Sequence, residues 1–465
     1  MSDFGGISIA YSGLNAQRKR MDVISENIAN VNTPGYHRQR VEFTPVDNLA
    51  SGMYSGRVGR GGGVRASDVT RLREHVLSSH ARVQGGVAAE RSSTAGVLEE
   101  LESIIGGLDS GGIHDQMNAM FNSFDDLASA PDDTALRQVV LQRAEAVADG
   151  FSRTATTIDQ LRERTVSEAG DAVTSMNELA GQIAVLDSEI LGAINVDAKP
   201  NALLDRRDTL VDELATYADI TVIENSNGQV TISLDGQLLV SNGASSGLTL
   251  DSQADPGLGV LGYEKVSVIN DNGRELNVKS GSLAAILVAV NISVPDAKQD
   301  LDTVSYSLVD DVNTVHQAGA GLDGSSGLNF FEAGPGRGQL YLSPDVIGQT
   351  DKIAAAATGV GRLDNSNART MALLAEAPTG PVGQFAELVG SLAARVSTAK
   401  GSAVVAEAAS DQATNLAISA GGVSLDEELT DLITAQRSYE AAARVMTAID
   451  KTLQTLVTST GLVGR

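Results

Sequence analysis

A seven-residue apolar repeat at each end of the chain constrains its fold more than any other feature. Near the N-terminus Ile7, Leu14, Met21 and Ile28 recur at every seventh position, with Ala10, Gln17, Ile24 and Val31 as a second track. Near the C-terminus Leu425, Leu432, Tyr439, Met446 and Leu453 form one track, and Leu429, Gln436, Ala443 and Val457 another. A heptad repeat lays a narrow apolar seam along a helix, and such a seam is buried against another helix. Two seams at opposite ends of one chain predict that the ends pair with each other or with further copies. A repeat this short also fits plain packing within one chain. Gln17, Gln436 and Asp450 interrupt the seams, and each helix alone is marginal in water. The ends are therefore expected to be poorly ordered in the free monomer and to order on assembly.

Between the ends, composition narrows the options. The 465 residues, 42% hydrophobic with a mean hydropathy of −0.03, are enough for roughly three domains with sizeable cores. Aromatics are only 3% and tryptophan is absent, which suits Ala-, Val-, Leu- and Ile-rich helical bundles better than a deep ligand pocket. The net charge is −25, and residues 1–75 hold ten Lys/Arg against seven Asp/Glu. That segment is near +3 and the remainder near −28. An acidic body repels nucleic acid and anionic membranes, so neither is an expected partner. No cysteine is present, which removes disulfides, thiolate metal sites and cysteine nucleophiles. No run is long and apolar enough for a membrane helix, and Arg18-Lys19-Arg20 follows rather than precedes the first apolar positions, unlike a secretory signal. Export, if it occurs, is expected without a cleaved signal peptide.

Residues 5–30 read as one amphipathic helix that stops at Asn32-Thr33-Pro34-Gly35. Residues 36–75 read as short strands and turns, and 69–108, 113–130 and 133–194 as helices, with Pro131-Asp132-Asp133 as a helix start. A further helix follows Pro200. Near residue 219 the period changes: 221–223, 230–234 and 238–240 are strand-like, with Asn227-Gly228, Asp235-Gly236 and Asn272-Gly273 as hairpin turns. Helical patterning returns over 282–317, 366–376 and 382–420. Gly421-Gly422 then precedes a last helix with Ser424 as N-cap and Asp426, Glu427 and Glu428 in its first turn. The predicted class is α+β, mainly α. Residues 1–35 and 422–465 would form a terminal coiled-coil core, 36–218 and 282–421 a discontinuous helical bundle with short β segments, and 219–281 an inserted β domain.

Chemistry is sparse. The five histidines, His37, His75, His80, His114 and His316, lack metal-ligand spacing, and no metal or cofactor is expected. Gly243-Ala244-Ser245-Ser246-Gly247 matches a nucleophile elbow formally, but strand-like Leu248-Thr249-Leu250 follows where a helix is needed. Asp109-Ser110-Gly111-Gly112 reads as a loop. Gly59-Arg60-Gly61-Gly62-Gly63 lacks the Gly-Lys-Ser/Thr ending of a phosphate cradle. Arg57, Arg60, Arg65, Arg71 and Arg73 have no interleaved aromatics, which favours salt bridges to acidic neighbours or adjacent subunits over nucleic-acid binding. No catalytic residue is expected, and the chain reads as a structural protein rather than an enzyme.

Two terminal motifs carry a family resemblance. Ser12-Gly13-Leu14-Asn15-Ala16 with Asn27-Ile28-Ala29-Asn30-Val31-Asn32-Thr33-Pro34-Gly35-Tyr36 resembles the N-terminal signature of the flagellar axial proteins, the rod, hook and hook-associated subunits. Glu427 to Ile433, Gln436-Arg437-Ser438-Tyr439 and Thr455-Leu456-Val457 resemble their C-terminal helix. Pro200 to Asp208, Val312 to Gly319, Phe330-Phe331, Gly281-Ser282-Leu283 and Gly461 to Arg465 resemble the hook–filament junction members; 219–280 is short for them. The resemblance implies an extracellular structural subunit between hook and filament, needed for filament assembly. Its partners would be hook protein, hook-associated protein 3 and copies of itself in a helical tube. Before assembly it would meet a cytoplasmic export chaperone and the flagellar type III apparatus. The nearest alternative is a hook or distal-rod subunit. Residues expected at interfaces are Ile7, Leu14, Met21, Ile24 and Ile28 on the first helix, and Leu425, Leu429, Leu432, Tyr439, Met446 and Leu453 on the last. Asn27, Asn30, Thr33, Gly35 and Tyr36 are the family-motif positions.

Overall fold

The structure, a computed structural model, describes residues 3–46, 62–106, 111–334 and 336–460. It is 64% helix and 14% strand, a mainly α protein with small sheets. The chain opens with helix α1 (Asp3–Ala29) and an antiparallel ribbon of β1 (Gln39–Pro45) and β2 (Val64–Arg71). Residues 69–71 were expected to begin a helix. They instead pair with 39–41 as strand, and α2 (His75–Gly106) begins after them, because β-branched Val69 and Thr70 fit the ladder opposite Val41 and Arg40.

Helix α3 (Ile113–Ser129) leads to α4 (Thr134–Asn195), whose 62 residues span about 93 Å. Asp133 starts α4 by accepting the Ala135 N–H at 2.7 Å and the Leu136 N–H at 3.4 Å. Gly150 lets α3 approach, since a Cβ there would lie 2.1 Å from Gln116 Oε1. Helix α5 (Asn201–Tyr217) precedes two sheets. The first runs through β3 (Ile220–Glu224), β4 (Val230–Leu234), β5 (Gln237–Ser241) and β6 (Ala244–Ser245). The second joins β7 (Leu248–Ala254), β8 (Glu264–Asn270) and β9 (Glu275–Leu276), with the short α6 (Pro256–Gly259) between β7 and β8. Asp235 and Gly236 both adopt positive φ, 48° and 73°, as the tight turn between β4 and β5 requires. Ala244 and Ser245 of the elbow-like stretch form β6, in a hairpin with β5.

Helix α7 (Ser282–Val288) continues through a π segment (Ala289–Ser293) into α8 (Val294–Ala318). Arg162 Nε donates to the Val290 carbonyl of that segment at 3.2 Å, and Asn291 bonds both the N–H and the C=O of Val266 in β8. Two short antiparallel pairings follow: β10 (Gly319–Ala320) with β13 (Ala356–Ala357), and β11 (Phe331–Ala333) with β12 (Leu340–Leu342). The chain ends with α9 (Ser366–Leu373), α10 (Pro381–Gly421) and α11 (Leu425–Thr460).

Two apolar clusters hold these elements. The larger unites α3, the first half of α4, α8, α9 and the facing ends of α2 and α10, and it takes in six of the eight phenylalanines. Phe330 meets Phe124 at 5.6 Å and Phe331 at 4.9 Å between ring centroids. The second joins Ala169 to Ala184 of α4 with α5, Leu283 and the inner faces of both sheets. The irregular stretch between α8 and α9 is organised by polar side chains. Asn313 Oδ1 accepts the Phe330 and Phe331 N–H groups at 2.8 and 3.0 Å. Buried His316 spans Leu328 O at 2.8 Å and the Ala354 N–H at 3.1 Å. Buried Arg137 donates to the carbonyls of Pro131 at 2.8 Å and Ile353 at 2.6 Å.

Candidate assembly interface

Helices α1 and α11 lie antiparallel. A Cβ on Gly6 would sit 3.1 Å from Ile449 Cδ1, and one on Gly13 3.9 Å from the Ala442 Cβ. Further along, Arg20 Nη2 donates to Asp431 at 2.9 Å and Asn27 Nδ2 to Glu428 Oε2 at 3.0 Å. Gly6, Gly13, Arg20 and Asn27 are each seven apart, so one helical track makes the contact. On α11 the facing track is Glu428, Ala435, Ala442 and Ile449. Gly6 and Gly13 on α1 and Ala435 and Ala442 on α11 bring the backbones close away from the polar end of this track.

The other face of α1 lies on the β1–β2 ribbon, where Ser12 Oγ accepts the Val64 N–H at 3.1 Å. Of the expected α1 positions, Ile24 is buried and Ile7, Leu14, Met21 and Ile28 are half-buried. On α11, Leu432, Met446 and Leu453 are half-buried. Leu425, Leu429 and Tyr439 are 45%, 42% and 37% exposed, with Ile433 beside them at 51%. The apolar tracks counted on the C-terminal helix thus lie beside the inward track and leave much of their surface in solvent.

The foot of this helical hairpin is a buried polar knot. Asn27 uses its whole side-chain capacity: Nδ2 donates to Gln39 O and Glu428 Oε2, and Oδ1 accepts from Gln39 N and Tyr36 Oη, all between 2.9 and 3.0 Å. Asn30 Nδ2 returns to Glu26 O at 3.0 Å, and Thr33 Oγ1 donates to Asn30 Oδ1 at 3.1 Å, which closes the turn after α1. Gly35 has φ +76°, and a Cβ there would fall 2.2 Å from Thr209 Oγ1 of α5, so both backbone angle and space require glycine. Burial, then Glu26 and Asp205, push the Tyr36 hydroxyl up to about 12, so it is a hydrogen-bond donor at any ordinary pH.

Arg38 ties the two termini together. Its N–H donates to Gly421 O at 2.9 Å, and its guanidinium meets Glu428 at 2.6 Å, Glu427 at 2.7 Å and Asp431 at 3.3 Å. Next to it His37 bonds Asp205 at 2.8 Å. Arg71 Nη1 lies 2.7 Å from Asp205 and 2.9 Å from Asp208, and Arg73 lies 3.1 Å from Asp208 and 2.6 Å from Glu224. Burial raises the cost of ionising Asp208, but Arg73, Arg71 and Arg207 outweigh it and hold the carboxyl below its usual range. His37, Asp205 and Asp208 have metal-like spacing, with ligand atoms within 4.8 Å of one another. Arg71 bridges the two carboxylates, which makes the cluster an ion-pair node.

Sequence reasoning placed Asn27, Gly35 and Tyr36 in a motif but did not see Arg38, Asp205 and Glu428 as one site. Glu428 was read as a partner of the helix dipole, whereas the structure buries it to 1% exposure. The available signal was its position: it falls on the heptad track of Ala435 and Ala442. Arg71 and Arg73 pair with acids of this chain, and Arg65 is exposed. Arg57, Arg60, the start of the Gly59–Gly63 run, Asp109, Ser110 and the motif from Gly461 to Arg465 lie outside the described residues.

Residues 98–331, half of the chain, match the family model of the flagellar hook-associated protein FlgK helical domain. The chain belongs to the FlgK family. Residues 7–37 match the flagella basal body rod protein model, and 417–459 the C-terminal model of the flagellar basal body rod FlgEFG proteins. Together these two matches cover most of the helical hairpin and Asn27, Tyr36 and Glu428 of its knot. Flagellar hook-associated protein 1 of Bacillus subtilis is 27% identical over the full length of both chains. The protein of that name from Escherichia coli is 27% identical over 70% of this chain and 60% of its own. The solved structure of the flagellar hook junction protein FlgK from Burkholderia pseudomallei has the same fold, with a TM-score of 0.61 at 16% identity, over 73% of this chain and 99% of that one. FlgK-family membership makes the chain a structural component of the flagellum.

Proposed function

We propose that the chain forms the junction between flagellar hook and filament, that filament assembly requires it, and that it catalyses no reaction. The observation that carries this reading is the match of the interior to the FlgK helical domain, since the terminal segments match rod proteins equally and would also fit a hook or distal-rod subunit. In the proposed assembly the α1–α11 hairpins of successive copies line the core of a tube. Their half-exposed tracks, Ile7, Leu14, Met21 and Ile28 on α1 and Leu425, Leu429, Leu432, Tyr439, Met446 and Leu453 on α11, are the contact faces. Hook protein lies on one side of this zone and hook-associated protein 3 on the other. Before export through the type III apparatus to the cell exterior, a cytoplasmic chaperone covers the C-terminal helix, whose exposed apolar track is a self-association hazard.

The test replaces Leu429, Leu432 or Met446 by Asp. A charge on these tracks is expected to abolish incorporation at the hook tip, read by immunogold labelling, while the purified variants keep the thermal transition of the helical bundle. Wild-type incorporation of all three would contradict the role given to α11.

A further inference from the structure

We infer that the π segment is a joint at the waist between the two apolar clusters, and that Asn291 and Arg162 lock it at one angle. The inference does not depend on the junction reading.

Two long helices cross from one cluster to the other. On α4 the larger cluster ends at Leu161 and the second begins at Ala169. On the helix that runs from α7 into α8, Leu287 packs on the second and Val294 belongs to the larger. The π segment fills the gap on this helix, and Arg162 lies in the gap on α4. The sequence explains why the helix widens here. Pro295 has no N–H, and in a regular helix its ring would crowd the Asn291 carbonyl four residues back. The Val294 N–H instead reaches five residues back, to Ala289 O, which is the π spacing. Val290 O is then left without a donor four or five residues on, because Val294 is engaged elsewhere and Pro295 has none. Arg162 Nε supplies that bond at 3.2 Å across the waist. Proline and a widened turn together are where long helices bend.

The widened turn also grips the sheet. Strand β9 pairs with Val268 and Ile269 of β8 and stops there. Asn291 takes over at Val266, accepting its N–H at 2.9 Å and donating to its C=O at 2.7 Å. Arg162 donates to the Glu264 carbonyl as well, and its guanidinium lies 4.3 Å above the Tyr263 ring. Tyr263 Oη and the buried Lys298 of α8 both donate to Asp159 of α4. The start of β8 is therefore tied to both crossing helices by polar groups, in the interval between the two clusters. Hydrogen bonds are directional, so these ties fix an angle that apolar contact would leave free to slide.

Distances across the waist of the purified, full-length protein test this. Because the chain has no cysteine, spin labels at Asp149→Cys on the bundle and Gln253→Cys on β7, both exposed, report the angle. One narrow distance distribution is expected. Asn291→Ala and Arg162→Met should each broaden it at least twofold and speed hydrogen exchange of the Val266 amide at least tenfold, while residues 140–151 keep their protection. Asn177→Ala is the control. It removes an equal two-bond grip on the same sheet, at Leu248, where both bonds are 2.8 Å, but away from the waist, and should leave the distribution narrow. Pro295→Ala returns the missing donor and should shift the mean distance. Narrow, unshifted distributions in Asn291→Ala and Arg162→Met would overturn the lock. Equal broadening in Asn177→Ala would overturn its placement at the waist, and an unshifted mean in Pro295→Ala would overturn the joint. Loss of protection at 140–151 in both lock variants would overturn the proposal too, since these groups would then support the bundle rather than set an angle.

Discussion

Asn27 and His316 show what a single polar side chain does in this molecule: each fills its hydrogen-bonding capacity with groups that no apolar residue could satisfy. For His316 this dictates the charge state. Nε2 accepts the Ala354 N–H, so it carries no proton, and Nδ1–H donates to Leu328 O. Burial holds the imidazole below its usual range; the Leu328 bond opposes the shift and Arg137 adds to it. The folded ring therefore takes a proton less readily than the unfolded one. Its contribution to stability is complete above the unfolded value of about 6.5 and is lost as pH falls from there towards the folded value. His316→Gln should cost about 2 kcal/mol near pH 7, and the gap from wild type in urea unfolding should narrow at about pH 5. A gap that does not change with pH would contradict this account. The sequence marked Asn313 and His316 only through resemblance, because a side chain that caps residues 12 to 38 positions away leaves no local pattern.

At the scale of elements, periodicity was informative about type and less so about neighbours. The long helices, the β4–β5 hairpin with its Asp-Gly turn and the break at Gly421-Gly422 were all legible, because each rests on local chemistry. The start of α2 was not, since strand pairing of Val69 and Thr70 depends on a ribbon partner about thirty residues away. Nor can a heptad count say which of its tracks turns inward. On α11 the inward track carries Glu428, Ala435, Ala442 and Ile449, while Leu425, Leu429 and Tyr439 stay partly outside; on α1 the counted track that is buried is that of Ala10 and Ile24. The strands of 219–281 share their core with α4: Met176 and Ile183 are fully buried in the same cluster as Ile232 and Val268. The two ends of this stretch also meet, as a Cβ on Gly281 would lie 2.4 Å from the Tyr217 carbonyl. Excising 219–281 is therefore easy in geometry and costly in burial. The shortened protein should bind an apolar dye and aggregate on mild heating. A monomer that melts as the full chain does and binds no dye would show that α4 does not depend on the sheets.

For the whole molecule, composition excluded more than it identified. A −25 charge, no cysteine and few aromatics argued against nucleic-acid binding, disulfides and a deep pocket, and left a helical structural protein. The FlgK helical-domain match over residues 98–331 then separates this chain from the rod proteins whose ends it shares. The junction role is tested most directly in cells lacking the gene, by electron microscopy of their surfaces together with an assay for filament protein in the medium. The account predicts complete hooks that bear no filament, with filament subunits released as monomers, and restoration by the intact gene. Cells without hooks would assign the chain to the hook or rod, and normal filaments would contradict a required role at the junction.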